Sequence, residues 1–193
     1  MTTERMTIIE DALFEVISNF NQTGIRYALG GSALLYYHGI TDTVHDLDFI
    51  IHPSDIEKAN VCMKKVGIAI AASKKFQYGT RHYKKYLVDG VEVDLMADLI
   101  IFHGVYSFEH HFDSSDLIQT FTVRGESVKL GNLEDWYLIY LFIGSREDKV
   151  KALEKHFIEQ GDLNKTKMDQ ILNGDLPEDI RKRITNLLYE VKV

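Results

Sequence analysis

The chain has 193 residues, with 22 Lys and Arg against 29 Asp and Glu for a formal charge of −7, and 45% hydrophobic residues. These are the proportions of a globular protein with one core and room for a helical appendage. The single cysteine, Cys62, excludes an internal disulfide framework and any zinc site built on several thiolates, and it fits a small core side chain in a reducing compartment. The most apolar run, residues 136–143, falls far short of the roughly 20 residues a membrane span requires. The N-terminal stretch carries acids and does not read as a signal peptide. A cytoplasmic protein without a membrane partner is expected, and the acidic balance argues against a generic nucleic-acid coat.

Periodicity divides the chain. Thr7 to Glu10 forms a T-x-x-E capping box, and Ile9, Leu13, Val16, Ile17 and Phe20 follow at helical spacing until Gly24, which predicts a first helix. Ile25 to Leu29 reads as a short strand running into Gly30-Gly31, then a short helix over 32–38 closed by Gly39. Asp46 to Ile51 is a second strand, and an S-x-x-E box from Ser54 to Glu57 opens a helix lasting to about Val66. Strands follow at 68–72, then at 81–88 and 91–97 joined by the two-residue turn Asp89-Gly90. Residues 101–117 resist assignment, and a further hairpin turns around 124–127. From Asn132 onward the pattern is helical. The expected architecture is therefore α/β, a mixed sheet with helices packed on it over residues 1–131 and a C-terminal helical region over 132–193 packed on that core.

Chemistry concentrates in residues 27–51. A strand, then Gly30, Gly31 and Ser32, then a helix brings free backbone N–H groups and a hydroxyl together in a way that suits a phosphate; the same residues also suit a plain turn with Ser32 as helix cap. Asp46 and Asp48 share one face of an otherwise apolar strand, with Leu47, Phe49 and Ile51 on the other. Two carboxylates so close repel without a cation, and an oxygen-rich pair suits Mg²⁺; the competing reading is a solvated strand end. In the strand after Asp89-Gly90, Asp94 lies in apolar company where an unpaired carboxylate is costly. If that strand lies beside the Asp46 strand, Asp94 completes a three-carboxylate metal site. Lys74, Lys75, Arg81, Lys84 and Lys85 cluster with Phe76, Tyr78, Tyr83 and Tyr86, either to hold phosphate or nucleic acid or to protect an edge strand; Arg81 is the preferred phosphate contact. His103, His110 and His111 lack zinc-ligand spacing and read as structural or surface residues. His45 and His52 bracket the D-x-D strand.

Gly-Gly-Ser, then D-x-D in a strand, then a lone Asp in a later strand resembles the nucleotidyltransferase superfamily related to DNA polymerase beta, in particular its small bacterial AbiEii-like and MenT-like members, over about residues 5–150. The stretch LEDWYLIYLFIGSREDKV is similar to that family's Leu-Glu-Asp helix followed by an Arg/Lys-Asp pair, here Arg146 and Asp148. The resemblance implies Gly30, Gly31 and Ser32 at a nucleoside triphosphate's phosphates. It also implies Asp46, Asp48 and Asp94 as catalytic metal ligands for two Mg²⁺ ions, with Mn²⁺ able to substitute, and Asp94 helping to deprotonate the acceptor. The implied reaction moves a nucleoside monophosphate from an NTP to an acceptor hydroxyl with release of pyrophosphate. The acceptor class stays open between small molecule, RNA and protein, and the helical tail serves either an acceptor pocket or a homodimer. Two departures stand out. Many relatives carry an Arg four residues before the first Asp and a Thr two before it, where this chain has Asp42 and Val44, and Tyr140 replaces a Lys that contacts nucleotide. These departures motivate an alternative, a catalytically degenerate scaffold that binds nucleotide or a protein partner, for example in a toxin–antitoxin-like pair.

Overall fold

The computed structural model describes residues 2–72, 77–112 and 119–191. Its first helix, α1 (Thr3–Thr23), begins one turn earlier than the capping box at Thr7 suggests. Thr2 is the cap, its hydroxyl accepting from Arg5 N and its carbonyl from Met6 N, so Thr7 lies inside the helix and its hydroxyl turns back to Thr3 O. Gly24 ends α1 in the left-handed region at φ 64°. The apolar stripe predicted for this helix is buried throughout.

A seven-stranded mixed sheet runs in the order β3-β4-β5-β2-β1-β9-β8. Its members are β1 (Tyr27–Leu29), β2 (Leu47–Ile51), β3 (Ile68–Ile70), β4 (His82–Val88), β5 (Val91–Ala97), β8 (Gln119–Val123) and β9 (Glu126–Leu130). β2 pairs parallel to β5, β1 parallel to β9 and β1 antiparallel to β2. The β4–β5 and β8–β9 hairpins use two-residue turns with positive φ at both positions, Asp89-Gly90 (48° and 79°) and Arg124-Gly125 (51° and 86°), which match the right-handed twist of the flanking strands. The second turn is thus tighter than the four residues expected. Phe20, Tyr27 and Phe49 meet at ring-centroid distances of 5.5–5.6 Å and join α1 to β1 and β2.

The short helix α2 (Gly31–Tyr37) packs on β2, and α3 (Ile56–Val66) packs on α1 and β4. α3 begins at Ile56, inside the predicted box and not directly after Ser54, because Ser54 is engaged elsewhere. Its hydroxyl accepts from Arg26 Nη2 at 2.6 Å and its N–H is held by His52 Nδ1 at 3.2 Å, so Pro53–Asp55 forms a 3₁₀ turn instead.

The unassigned stretch contains a hairpin of its own. β6 (Leu99–His103) and β7 (Tyr106–His110) pair around Gly104-Val105 as a separate two-stranded sheet. Asp98, at φ 52°, turns the chain from β5 into it. LIIFH is almost uninterruptedly apolar, so the alternation that marks a half-buried strand is missing. α4 (Leu133–Ile143) packs on α2, β6 and β7, and with ten of its eleven residues buried it is apolar beyond the two acids of its first turn, as a helix enclosed by other elements must be. α5 (Glu147–Gln160), α6 (Lys165–Leu172) and α7 (Glu178–Glu190) complete the chain. Arg183 of α7 clamps Glu154 and Glu147 of α5 at 2.6–3.0 Å. Among the described residues no helix is long and apolar enough to cross a membrane.

Candidate active site

The parallel pairing of β2 with β5 puts Asp48 directly beside Asp94. Asp46 lies just ahead of β2, two residues from Asp48 and on its face, while Leu47, Phe49 and Ile51 are fully buried on the other. One carboxylate oxygen from each of Asp46, Asp48 and Asp94 lies within 4.8 Å of the other two, and this is the only such group of three or more metal-ligating side chains among the described residues.

The glycine turn and the D-x-D segment are mechanically one unit. Gly30 N donates to Asp48 O at 2.8 Å. A Cβ on Gly31 would lie 1.9 Å from Asp48 Oδ2, and one on Gly30 would lie 1.9 Å from the Trp136 ring. Gly31 also sits at φ 59°, a region that penalises any side chain. The space these glycines leave is thus filled by the Asp48 carboxylate and by the indole of α4. Ser32, buried, accepts from His45 N at 3.2 Å, which fixes the residue preceding Asp46.

Two side chains of β4 serve Asp94. Tyr83 OH donates to Oδ2 at 2.8 Å and Lys85 Nζ lies 3.4 Å from Oδ1. The tight turn at Asp89-Gly90 sets Lys85 opposite Asp94 in the antiparallel register. Burial comes first in the electrostatics, and like-charge crowding adds to it. Burial and the charges of Asp46 and Asp94 push the Asp48 carboxyl well above the ordinary carboxylate range, against the pull of Lys85 and Arg146. Burial also raises Asp94, against the Tyr83 hydrogen bond and Lys85. Tyr140, from α4, has its phenol pushed upward by burial and then by Asp48 and Asp46, which places it beside the acids at the position where the resemblance implies a lysine.

The remaining predicted residues separate into those near the cluster and those away from it. Arg81 is exposed, one residue ahead of β4. Its register position faces Asp98, four residues and so about 13 Å along the strand from Asp94, and the cations acting on Asp48 are Lys85 and Arg146. Lys74, Lys75 and Phe76 lie outside the described residues. Asp42 is exposed and Val44 is a core residue. His52 caps the 3₁₀ turn, His103 Nδ1 lies 3.1 Å from Phe142 O, and buried His110 pairs with Asp135. The acids of the Leu-Glu-Asp motif are tied into the helical region, Glu134 accepting from Asn164 N at 2.8 Å and Asp135 from Lys167 Nζ at 2.7 Å. Trp136 carried no sequence signal for its packing on Gly30. Lys85 did carry one, since a two-residue turn fixes which residues face each other.

Three hard oxygen donors at this spacing are the donor set of a divalent magnesium-type cation. Asp94 Oδ1 is buried without a hydrogen-bond donor. The residues present therefore fit such an ion.

No protein-family model matches the sequence, and no curated protein matches it. Solved structures do. A Thermotoga maritima protein assigned as a nucleotidyltransferase superposes with a TM-score of 0.58 at 19% identity, covering 82% of this chain and 96% of that one. The antibiotic-resistance factor ANT(2″)-Ia, solved with adenylyl-2″-tobramycin, gives 0.53 at 8% identity over 77% of this chain and 88% of its own. The lincosamide adenylyltransferase LnuA, solved with lincomycin, gives 0.52 at 9% identity, 74% and 94%. The mixed sheet with its helices has the fold of these nucleotidyltransferase structures.

Proposed function

We propose that the protein is a Mg²⁺-dependent nucleotidyltransferase that moves a nucleoside monophosphate from an NTP to an acceptor hydroxyl and releases pyrophosphate. The observation that carries this reading is the convergence of Asp46, Asp48 and Asp94 on a sheet of nucleotidyltransferase fold. In it, Asp46, Asp48 and Asp94 hold divalent metal, which supplies charge stabilisation on the transferring and leaving oxygens of an in-line displacement. Asp94, whose carboxyl is raised by burial, orients the acceptor hydroxyl and takes its proton as the O–P bond forms. The Gly30-Gly31-Ser32 turn holds the acids in place and lies at the phosphates, and Arg146 and Arg81 supply positive charge to the triphosphate. A membership among the small AbiEii-like and MenT-like proteins rests on the same motifs and belongs to this proposal.

The acceptor is proposed to be a small polar molecule, as in the tobramycin and lincomycin complexes of the similar structures. A cavity of about 260 Å³ lined by His103, Tyr140, Glu147, Asp179 and Arg183 suits it, because Tyr140 belongs both to its wall and to the surroundings of the acids.

Incubation with each α-³²P-labelled NTP, Mg²⁺ and pooled acceptors tests the reaction. Transfer of label by the wild type and its loss in Asp48→Asn is the expected result. Equal transfer by the variant overturns the assignment. Nucleotide binding without any transfer by the wild type favours the degenerate scaffold, which the absence of a basic residue at Asp42 also motivates.

A further inference from the structure

Lys85 touches two carboxylates at once. Its Nζ lies 2.6 Å from Glu92 Oε2 and 3.4 Å from Asp94 Oδ1. The two acids stand two residues apart on β5, Asp94 directly opposite Lys85 across the hairpin and Glu92 diagonal to it, opposite Leu87. Their surroundings differ. The Glu92 side chain is 52% exposed and that of Asp94 only 11%. Water can thus solvate Glu92 without help, whereas Asp94 has Asp46 and Asp48 within 4.8 Å and needs a cation in that crowded, partly desolvated space. Lys85 is the ammonium that the fold supplies there.

A divalent ion on Asp94 would meet that ammonium a few ångströms away, where like charges repel strongly. Tyr83 raises no such conflict, because its neutral hydroxyl uses one lone pair of Oδ2 and a carboxylate has about four acceptor sites. Resting on the divalent-cation reading given above, we infer that Lys85 is the resident counter-ion of the metal-free acid cluster and that it passes wholly to Glu92 when a divalent cation takes Asp94. Glu92 is then a positioning residue that acts on the metal through Lys85. No bond is made or broken in this exchange. One ammonium leaves a carboxylate that a stronger cation has occupied, and a short ammonium–carboxylate contact already in place receives it.

Mn²⁺ titration by calorimetry and electron paramagnetic resonance, without nucleotide at pH 8, tests the exchange. Lys85→Met should bind Mn²⁺ about tenfold more tightly than wild type, because the competing charge is gone. Glu92→Gln should bind roughly threefold more weakly. The decisive comparison is the double variant. If Glu92 acts by holding Lys85, then Glu92→Gln has no effect in the Lys85→Met background; an undiminished effect there overturns the exchange. Unchanged or weaker binding by Lys85→Met also overturns it, and Lys85→Gln serves if the Met variant fails to fold. Wild-type protein that binds no Mn²⁺ removes the cation reading itself and this inference with it, whereas wild-type binding without the Lys85 effect removes the inference alone.

Discussion

Two carboxylates of this chain, buried Asp135 and half-buried Asp48, differ in company. Asp135, at the first turn of α4, has Lys167 Nζ at 2.7 Å, His110 Nε2 at 3.5 Å and the Asn132 side-chain amide at 3.3 Å. Although burial acts against it, His110 and Lys167 hold its carboxyl below the ordinary range, and the positive end of the helix dipole favours an acid there. Asp48 has carboxylate oxygens of Asp46 and Asp94 within 4.8 Å, and burial together with those charges drives it the other way. The first arrangement stabilises a fold. The second stores repulsion that a cation relieves, the condition in which a perturbed carboxylate points to function.

The largest expected effect follows from removing the strained acid. Asp48→Asn should lower nucleotide transfer by at least about a thousandfold, since a ligand of the charge-stabilising metal is lost. The same variant should raise the melting temperature of the metal-free protein, because one repelling charge is gone. Asp135→Asn should do the reverse, costing roughly 2 kcal/mol of stability in denaturant unfolding while leaving Mn²⁺ affinity unchanged. Equal destabilisation by both variants would erase the contrast.

Gly31→Ala comes next. Its Cβ would lie 1.9 Å from Asp48 Oδ2, on a backbone at φ 59°. A loss of about 2–3 kcal/mol of stability is expected from overpacking and left-handed backbone together, with Mn²⁺ affinity falling as Asp48 is displaced. Gly125→Ala, strained in φ with no atom within 4 Å of the added Cβ, should lose stability alone.

The pH dependence separates the two acids by limb. Asp48 and Asp94 keep their protons to higher pH in the folded chain than in the unfolded one. Metal-free protein therefore loses stability as pH rises from the ordinary carboxylate value of about 4 through their raised folded values, and Mg²⁺ should restore it on the alkaline side. Asp135, held low, contributes stability that is present above the ordinary value and lost as pH falls through its folded one. In unfolding curves recorded with a chelator, Asp48→Asn should flatten the alkaline decline and Asp135→Asn the acid decline. The smallest effect is assigned to Arg81→Ala, a two- to threefold rise in KM for the NTP against about tenfold for Arg146→Ala, because Arg81 is exposed and its charge is screened, whereas Arg146 acts on Asp48.

What the sequence made legible was local and periodic. The α1 stripe, the Asp89-Gly90 turn and the alternation around Asp46 and Asp48 each depend on spacings of two to four residues, and each recurs in the structure. The adjacency of Asp94 to Asp48 depends on parallel pairing of β2 with β5, strands separated by 39 residues between Ile51 and Val91, and no short-range pattern specifies such a pairing. The glycines of 30–31 were readable as a close approach but not as an approach to Asp48 and Trp136, since the indole arrives from a helix a hundred residues away. The β6–β7 hairpin escaped because its first strand lacks alternation, and the start of α3 moved because Arg26, distant in sequence, draws Ser54 into a different turn.

The central claim is that Asp46, Asp48 and Asp94 together hold divalent metal at a nucleotide's phosphates. Crystals grown with Mn²⁺ and a non-hydrolysable NTP, measured at the manganese absorption edge, test it most directly. Anomalous peaks at about 2.2 Å from oxygens of all three carboxylates, with the triphosphate bound to the same ions, are the predicted result. Manganese bound elsewhere, or a triphosphate seated away from these acids, would contradict it.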